Sequence, residues 1–233
     1  MITDFHSHVL PFVDDGSASV AESIAMLEME KTQGVLRVVA TPHFHPDRED
    51  PESFLAKRTQ AERVLREEMA KHPGLPEITV GAEVPFCRGI SEWDTLKDLR
   101  IGDSRCILIE MPMVPWTESM FRELEQIPEK QGLTPIIAHV DRYLRPFDNW
   151  DVLKRLEQLP VYVQANASAF LSGLSRRRML ACLRQGKVHL LGSDCHNLRS
   201  RSPNLGKAVA YIDRHLGTEV VNRICECEKF LLV

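Results

Sequence analysis

Apolar residues along this chain come in short dense runs rather than in long stripes. Runs at 2–6, 35–41, 77–84, 106–111, 135–138, 161–164 and 188–192 are rich in Val, Ile and Leu, and each reads as a strand buried on both faces. Longer, more charged segments separate them. The segment 19–32 carries Val20, Ile24 and Leu27 at helical spacing and meets Gly34 as a stop, which predicts a helix. Helices are predicted likewise over 51–71, 118–130, 150–158, 175–185 and 205–216. Doubly buried strands alternating with helices predict a parallel sheet wrapped by helices. Roughly seven such units in one chain favour a closed (β/α) barrel over an open sheet of four or five strands.

The polar residues that end or follow these runs are mostly His, Asp and Glu. In a (β/α) barrel they gather at the C-terminal ends of the strands, where function resides. His6 and His8 are two apart, so a strand turns both the same way, toward a divalent metal that suits imidazole. The loop that follows adds Asp14 and Asp15 beside Gly16; one Asp suits a ligand and the other a turn, and either fits a helix cap. His43 follows the second run. Pro42 breaks strand geometry there, so His45 divides between the site rim and a solvated loop. Glu83 and Glu110 are carboxylates inside apolar segments, a costly placement unless each is paired or metal-bound. His139 ends the fifth run, and Asp194 and His196 face one side after the seventh, with Cys195 opposite. The candidate ligands are therefore His6, His8, Asp15, His43, Glu83, Glu110, His139, Asp194 and His196. One zinc takes only about four ligands, so two to three divalent ions are expected.

Composition narrows the classes. A chain of 233 residues with no repeat, low-complexity tract or linker-like stretch is expected to form one domain over 1–233. The net charge of -4 carries no basic footprint for nucleic acid, and no apolar stretch is long enough for a membrane span. The six cysteines lack a framework spacing and no export signal precedes them, so reduced thiols in a cytoplasm are expected. Cys225 and Cys227 have no second pair to complete a zinc site.

Six segments together are more specific than any one. The stretches His6-Ser7-His8 with Asp14-Asp15-Gly16, Thr41-Pro42-His43, Gly81-Ala82-Glu83, Glu110-Met111-Pro112, Ala138-His139-Val140-Asp141-Arg142-Tyr143 and Ser193-Asp194-Cys195-His196-Asn197 resemble, in order, the polymerase-and-histidinol-phosphatase (PHP) superfamily. Within it the chain resembles the bacterial manganese-dependent protein tyrosine phosphatases of capsule and exopolysaccharide synthesis. The resemblance implies a distorted (β/α)7, TIM-like barrel with three metal ions held by the nine residues above. It implies manganese first, with iron, cobalt or zinc as alternatives, and Arg142 and Arg201 near the phosphate. It also implies a phosphotyrosyl protein as substrate, such as a bacterial tyrosine kinase. The chain departs from the family pattern at Val140 and Asp141, where Pro and Glu are usual, at His45, and in a shorter segment over 167–178. These departures bear on substrate preference.

Rival readings start from the same residues. Cys195, Arg201 and Ser202 reproduce the Cys-x5-Arg-Ser spacing of thiol phosphatases, but no glycine lets that loop close around phosphate, so the spacing reads as coincidence. An amidohydrolase-like site would bridge its metals with a carboxylated lysine, and no lysine stands at a strand end. A PHP-type enzyme acting on a small ester such as histidinol phosphate shares every ligand, and a non-catalytic metal protein would have lost some. The proton donor to the leaving group is open between Asp15, His45 and a bound water. Gln164 and Asn166 are expected to hydrogen-bond the ligands from behind, Trp93, Trp116 and Trp150 to pack in the wall or rim, and Arg176, Arg177 and Arg178 to start a solvated helix.

Overall fold

The computed structural model describes residues 2–144, 150–171, 173 and 176–232. Strands and helices alternate along it: β1 (Ile2–Ser7), α1 (Val20–Thr32), β2 (Val35–Ala40), α2 (Pro51–Met69), β3 (Glu77–Val80), β4 (Glu83–Pro85), β5 (Cys106–Glu110) and α3 (Glu118–Gln131). They continue as β6 (Thr134–Ile137), α4 (Asp141–Leu144), α5 (Asp151–Leu156), β7 (Tyr162–Asn166), α6 (Ser168–Leu171), α7 (Arg176–Arg184), β8 (Leu190–Gly192), α8 (Leu205–Leu216) and α9 (Thr218–Leu231). Local chemistry sets the helix starts. Ser19 Oγ accepts the Glu22 N–H at 3.1 Å to cap α1, and Asp50 caps α2 through the Ser53 N–H at 2.9 Å ahead of Pro51.

Every strand pairing is parallel, in the orders β1-β2-β3 and β4-β5-β6-β7-β8. The continuous strand expected over 77–84 is instead two strands. After Val80 the Gly81 N–H bonds the Ala40 carbonyl at 2.8 Å, and Glu83 then pairs with Leu108 of β5. A Cβ at Gly81 would lie 2.8 Å from Ile101 Cγ1 and 3.2 Å from its Cα, so this change of partner needs glycine. At the other seam the Asp194 N–H bonds the His6 carbonyl at 2.8 Å and the His8 N–H bonds the Cys195 carbonyl at 2.9 Å. The strands thus come round upon themselves. With β3 and β4 as halves of one position, the ring is the distorted seven-position barrel that the family resemblance implies.

Side chains fill the ring. Phe5, Val39, Leu108, Ile136 and Leu190 pack inside it, and Leu231 of α9 closes the end where the strands begin. Alternation in β5 sends Cys106 and Leu108 inward and Ile107 and Ile109 to the helical layer, which leaves Glu110 next in the inward row. Each fully buried Leu, Ile or Phe contributes roughly 1.5–3 kcal/mol. Three elements were not legible in the sequence: α9, and the short α4 and α6 that follow the strands carrying His139 and Asn166. The helix expected over 150–158 is only Asp151–Leu156, and residue 175 at the start of the next lies outside the described residues. Among the described residues no helix is long and apolar enough to cross a membrane.

A candidate metal centre at the strand ends

The nine sequence-predicted ligands meet at one end of the barrel. His8, Asp15, His43 and His196 form one group whose ligand atoms lie within 4.8 Å of one another; His6, His8 and Asp194 form a second, and His43, Glu83 and Glu110 a third. His139 joins through Nε2, 2.8 Å from Glu83 Oε1 and 3.5 Å from Glu110 Oε1. Because His8 and His43 each belong to two groups, the three are continuous. Asp15 stands exposed at the lip while His6, His8 and Glu83 are fully buried.

Hydrogen bonds behind the ring nitrogens decide which atoms face the centre. Asp14 Oδ2 accepts from His8 Nδ1 at 2.6 Å and from the His43 N–H at 2.8 Å, while its Oδ1 accepts the Gly16 N–H at 2.9 Å. Asp14 is therefore the Asp that orients and Asp15 the one that faces the groups. Gln164 Oε1 takes the His139 N–H at 2.6 Å and lies 3.3 Å from His6 Nδ1. Its amide reaches Asn166 Oδ1 at 3.2 Å, and Asn166 Nδ2 reaches Asp194 Oδ2 at 2.9 Å. The backing role expected of Gln164 and Asn166 is the one their contacts make. His196 Nδ1 donates to the Asp194 carbonyl at 3.0 Å. The contacts at Nδ1 of His6, His8 and His196 turn their Nε2 atoms toward the cluster.

The donor set fits divalent ions. His6 Nε2 lies 3.1 Å from His8 Nε2 and 3.1 Å from Glu83 Oε2, a convergence of lone pairs that only protons or cations between them can hold. Glu83 Oε2 and His196 Nε2 are buried and have no hydrogen-bond partner, although buried polar atoms rarely go without one. Imidazole and carboxylate together suit manganese, iron, cobalt and zinc. The same crowding shifts protons. Burial works against charge on His8 and His139, yet the bonds and charges of Asp14, Asp194, Glu83 and Glu110 hold His8 well up and His139 at about 9. His196 is pushed down to about 4 by burial and then by His8 and Arg201. Cations and these protons compete for the same atoms.

Arg142 and Arg201 grip the site from its rim. Arg142 Nη2 donates to Asp194 Oδ2, and Arg201 Nη2 donates to Asp194 Oδ1 at 2.6 Å while its Nη1 lies 3.9 Å from Asp15 Oδ2. Both side chains keep about a third of their surface exposed (37% and 35%), so each can reach an anion at the mouth. The rings of His45 and His43 stack at 5.3 Å, and His45 lines the same mouth as Asp15. The thiol-phosphatase spacing has no chemistry here: Cys195 is fully buried and its thiol is pushed well up by burial and then by Glu30 and Asp4. Lys57, at the edge of the mouth, is taken up by Glu49 at 2.8 Å.

Two contributors were missed in the sequence. Asp4 Oδ1 accepts the His6 N–H at 3.2 Å and the Ser193 N–H at 2.8 Å, so it ties β1 to β8 beneath both ends of the ligand set. An acid inside the first apolar run was the available signal, since a buried carboxylate needs partners. Tyr143 is the other. Its hydroxyl accepts the Met111 N–H at 3.0 Å and its ring lies 5.5 Å from His139, fixing the loop after Glu110. Trp116 packs on Tyr143 at 5.2 Å and Trp93 on Phe44 at 6.3 Å, as wall residues should, while Trp150 lies under the Arg178 guanidinium at 5.1 Å.

Known proteins are similar to this chain over most of its length. The tyrosine-protein phosphatase CpsB of Streptococcus pneumoniae is 31% identical over 226 residues, 93% of this chain and 91% of that protein. The tyrosine-protein phosphatase YwqE of Bacillus subtilis is 28% identical over 243 aligned positions, 98% of this chain and 91% of that protein. A chain from the crystal structures of YwqE and the pneumococcal CpsB, described as unique metal-dependent tyrosine phosphatases, superposes with a TM-score of 0.87 at 25% identity, covering 99% of this chain and 94% of that one. Residues 2–229 match the family described as "Capsular polysaccharide synthesis, CpsB/CapC", and the chain belongs to that family.

Proposed function

We propose that the chain is a metal-dependent phosphatase that hydrolyses phosphotyrosine on proteins. The observation that carries the reading is the convergence of three overlapping His/Asp/Glu groups beside two arginines that already hold a ligand carboxylate. Two to three divalent ions, manganese first, would be held by His6, His8 and Asp194; by His43, Glu83, Glu110 and His139; and by Asp15, His43 and His196. When bound, such ions lower the pKa of water and neutralise charge on a phosphoryl group. The chain supplies the rest. Arg142 and Arg201 offer planar donors to equatorial phosphoryl oxygens, which a lysine could match only as a point charge. Asp14, Gln164 and Asn166 hold the imidazoles and Asp194 in their orientations, so that little reorganisation accompanies reaction. His45 at the lip can hand a proton to a leaving phenolate, and Asp15 could do so only in place of its role as a ligand.

The substrate we favour is a tyrosine kinase of capsule or exopolysaccharide synthesis, on the strength of the family's description and the activity for which its relatives are named. A cytoplasmic site of action agrees with six free cysteines. The test is a chelator-stripped sample assayed on a phosphotyrosyl peptide with and without added manganese, and with histidinol phosphate as the comparison substrate. Manganese should restore turnover of the peptide. Full turnover by the stripped protein would end the metal reading, and a preference for histidinol phosphate would end the protein-substrate reading.

A further inference from the structure

The metals and arginines of the proposed site would read only a phosphoryl group, which phosphotyrosine shares with every other phosphate ester. Something else on the rim must read the ring. Among the described residues only Phe12, His139 and Asp194 are non-glycines with positive φ, at 64°, 29° and 55°. Two of these three belong to the candidate metal centre, and backbone strain of this kind persists where a fold has a use for it. Phe12 is the third. Its neighbours Pro11 and Val13 are buried, and its N–H is fixed to the Ser17 carbonyl at 3.1 Å. The left-handed turn therefore directs a 66% exposed phenyl ring away from a core that accepts the residues on both sides of it.

Its position is at the lip. Phe12 precedes Asp14 and Asp15 and lines, with Pro11, Ala61 and Val64, an apolar cavity of about 240 Å³. Lys57 lines both that cavity and the one of about 590 Å³ that holds Asp15, His43 and His45. The apolar shelf thus adjoins the mouth at Lys57. The rim repeats the pattern: Met113 and Val114 are exposed after Glu110, and Leu198 after His196. Phe12 is the aromatic and the strained member of this set.

We propose that Phe12 is the specificity-determining residue for the leaving group, packing its ring against the aryl ring of phosphotyrosine while the phosphoryl group lies over the metal centre. This rests on the phosphotyrosine reading above. The test compares wild type, Phe12→Ala and Phe12→Tyr, each loaded with manganese, for calorimetric binding of phenylphosphonate against butylphosphonate and for KM and kcat on a phosphotyrosyl peptide. Wild type should prefer the phenyl compound. Phe12→Ala should lower that preference, and raise the peptide KM, by about three- to tenfold with little effect on kcat, because the lost contact is one aromatic pair. Phe12→Tyr should restore both. An unchanged preference in Phe12→Ala, or equal losses for both phosphonates, would overturn the assignment. Should Phe12→Ala fail to fold, Phe12→Leu keeps apolar bulk without a ring and reads the same ratio. Turnover of the phosphotyrosyl peptide by wild type separates this proposal from the one it rests on, which falls only if that turnover is absent.

Discussion

Asp14→Asn removes one charge and one acceptor from behind the candidate metal centre without replacing a residue that faces it. The carboxylate receives three donors: His8 Nδ1 and the His43 N–H on Oδ2, and the Gly16 N–H on Oδ1. Asparagine has one oxygen for these three. Its better orientation keeps that oxygen on His8 and His43 and turns the amide against the Gly16 N–H, donor against donor, at a cost of about 1–3 kcal/mol. The lost charge adds to this. Burial pushes the Asp14 carboxyl up, but the bond and charge of His8, with the backbone donors, bring it to about 2 from an ordinary 3.8. That difference corresponds to about 2.5 kcal/mol in favour of the ionised form. Because the folded value is depressed, the contribution is complete above pH 3.8 and lost only as pH falls toward 2, so it is fully present at neutral pH. The variant should fold. Its manganese affinity should drop by roughly 10–100-fold, the usual effect of removing a group that orients a metal-binding imidazole, while kcat at saturating manganese recovers most of its value. A titration of chelator-stripped protein across buffered free manganese, read by calorimetry and by turnover, measures both. Wild-type affinity in the variant would show that His8 needs no such partner, and the reasoning would fail.

Other perturbations test the frame of the site. A Cβ at Gly192 would lie 2.5 Å from His6 Cβ and 2.7 Å from Gln164 Nε2, so Gly192→Ala should cost about 1–3 kcal/mol and misplace His6. Thermal melting together with manganese affinity checks this, and two unchanged values would refute the close approach. Glu228 is held up at about 8 by burial, against an ordinary 4.5, while accepting the Thr3 N–H at 3.1 Å. A raised folded value means that stability is complete below pH 4.5 and declines as pH rises through 8, by at most on the order of 5 kcal/mol. Glu228→Gln should flatten the melting temperature across that window, and an unaltered slope would count against it. Cys195→Ser should keep most turnover on an aryl phosphate, whereas Asp194→Ala should abolish it; the reverse result would restore the thiol mechanism.

The chain's own pattern determined the architecture and named the residues that gather at one end of it. Runs such as Val35–Ala40 and Cys106–Glu110 are strands because β-branched and aliphatic residues fill both faces, and that preference is local. His, Asp or Glu at the end of most of these runs is equally visible, because a barrel sends every strand end to one mouth. Tertiary structure decided what depends on contacts distant in sequence. Asp14 and Asp15 are interchangeable on paper; the nearness of His8 and His43 made one the support and left the other facing the centre. The break between β3 and β4 depends on Ile101 crowding Gly81, and the seam between β1 and β8 on Asp4 meeting the Ser193 amide, 189 residues away. The outward turn of Phe12 likewise follows from the burial of Pro11 and Val13, and no periodicity along the chain could have announced it. Local preference writes the strands and lists the candidate ligands, whereas close packing and hydrogen bonding across the ring assign each its place.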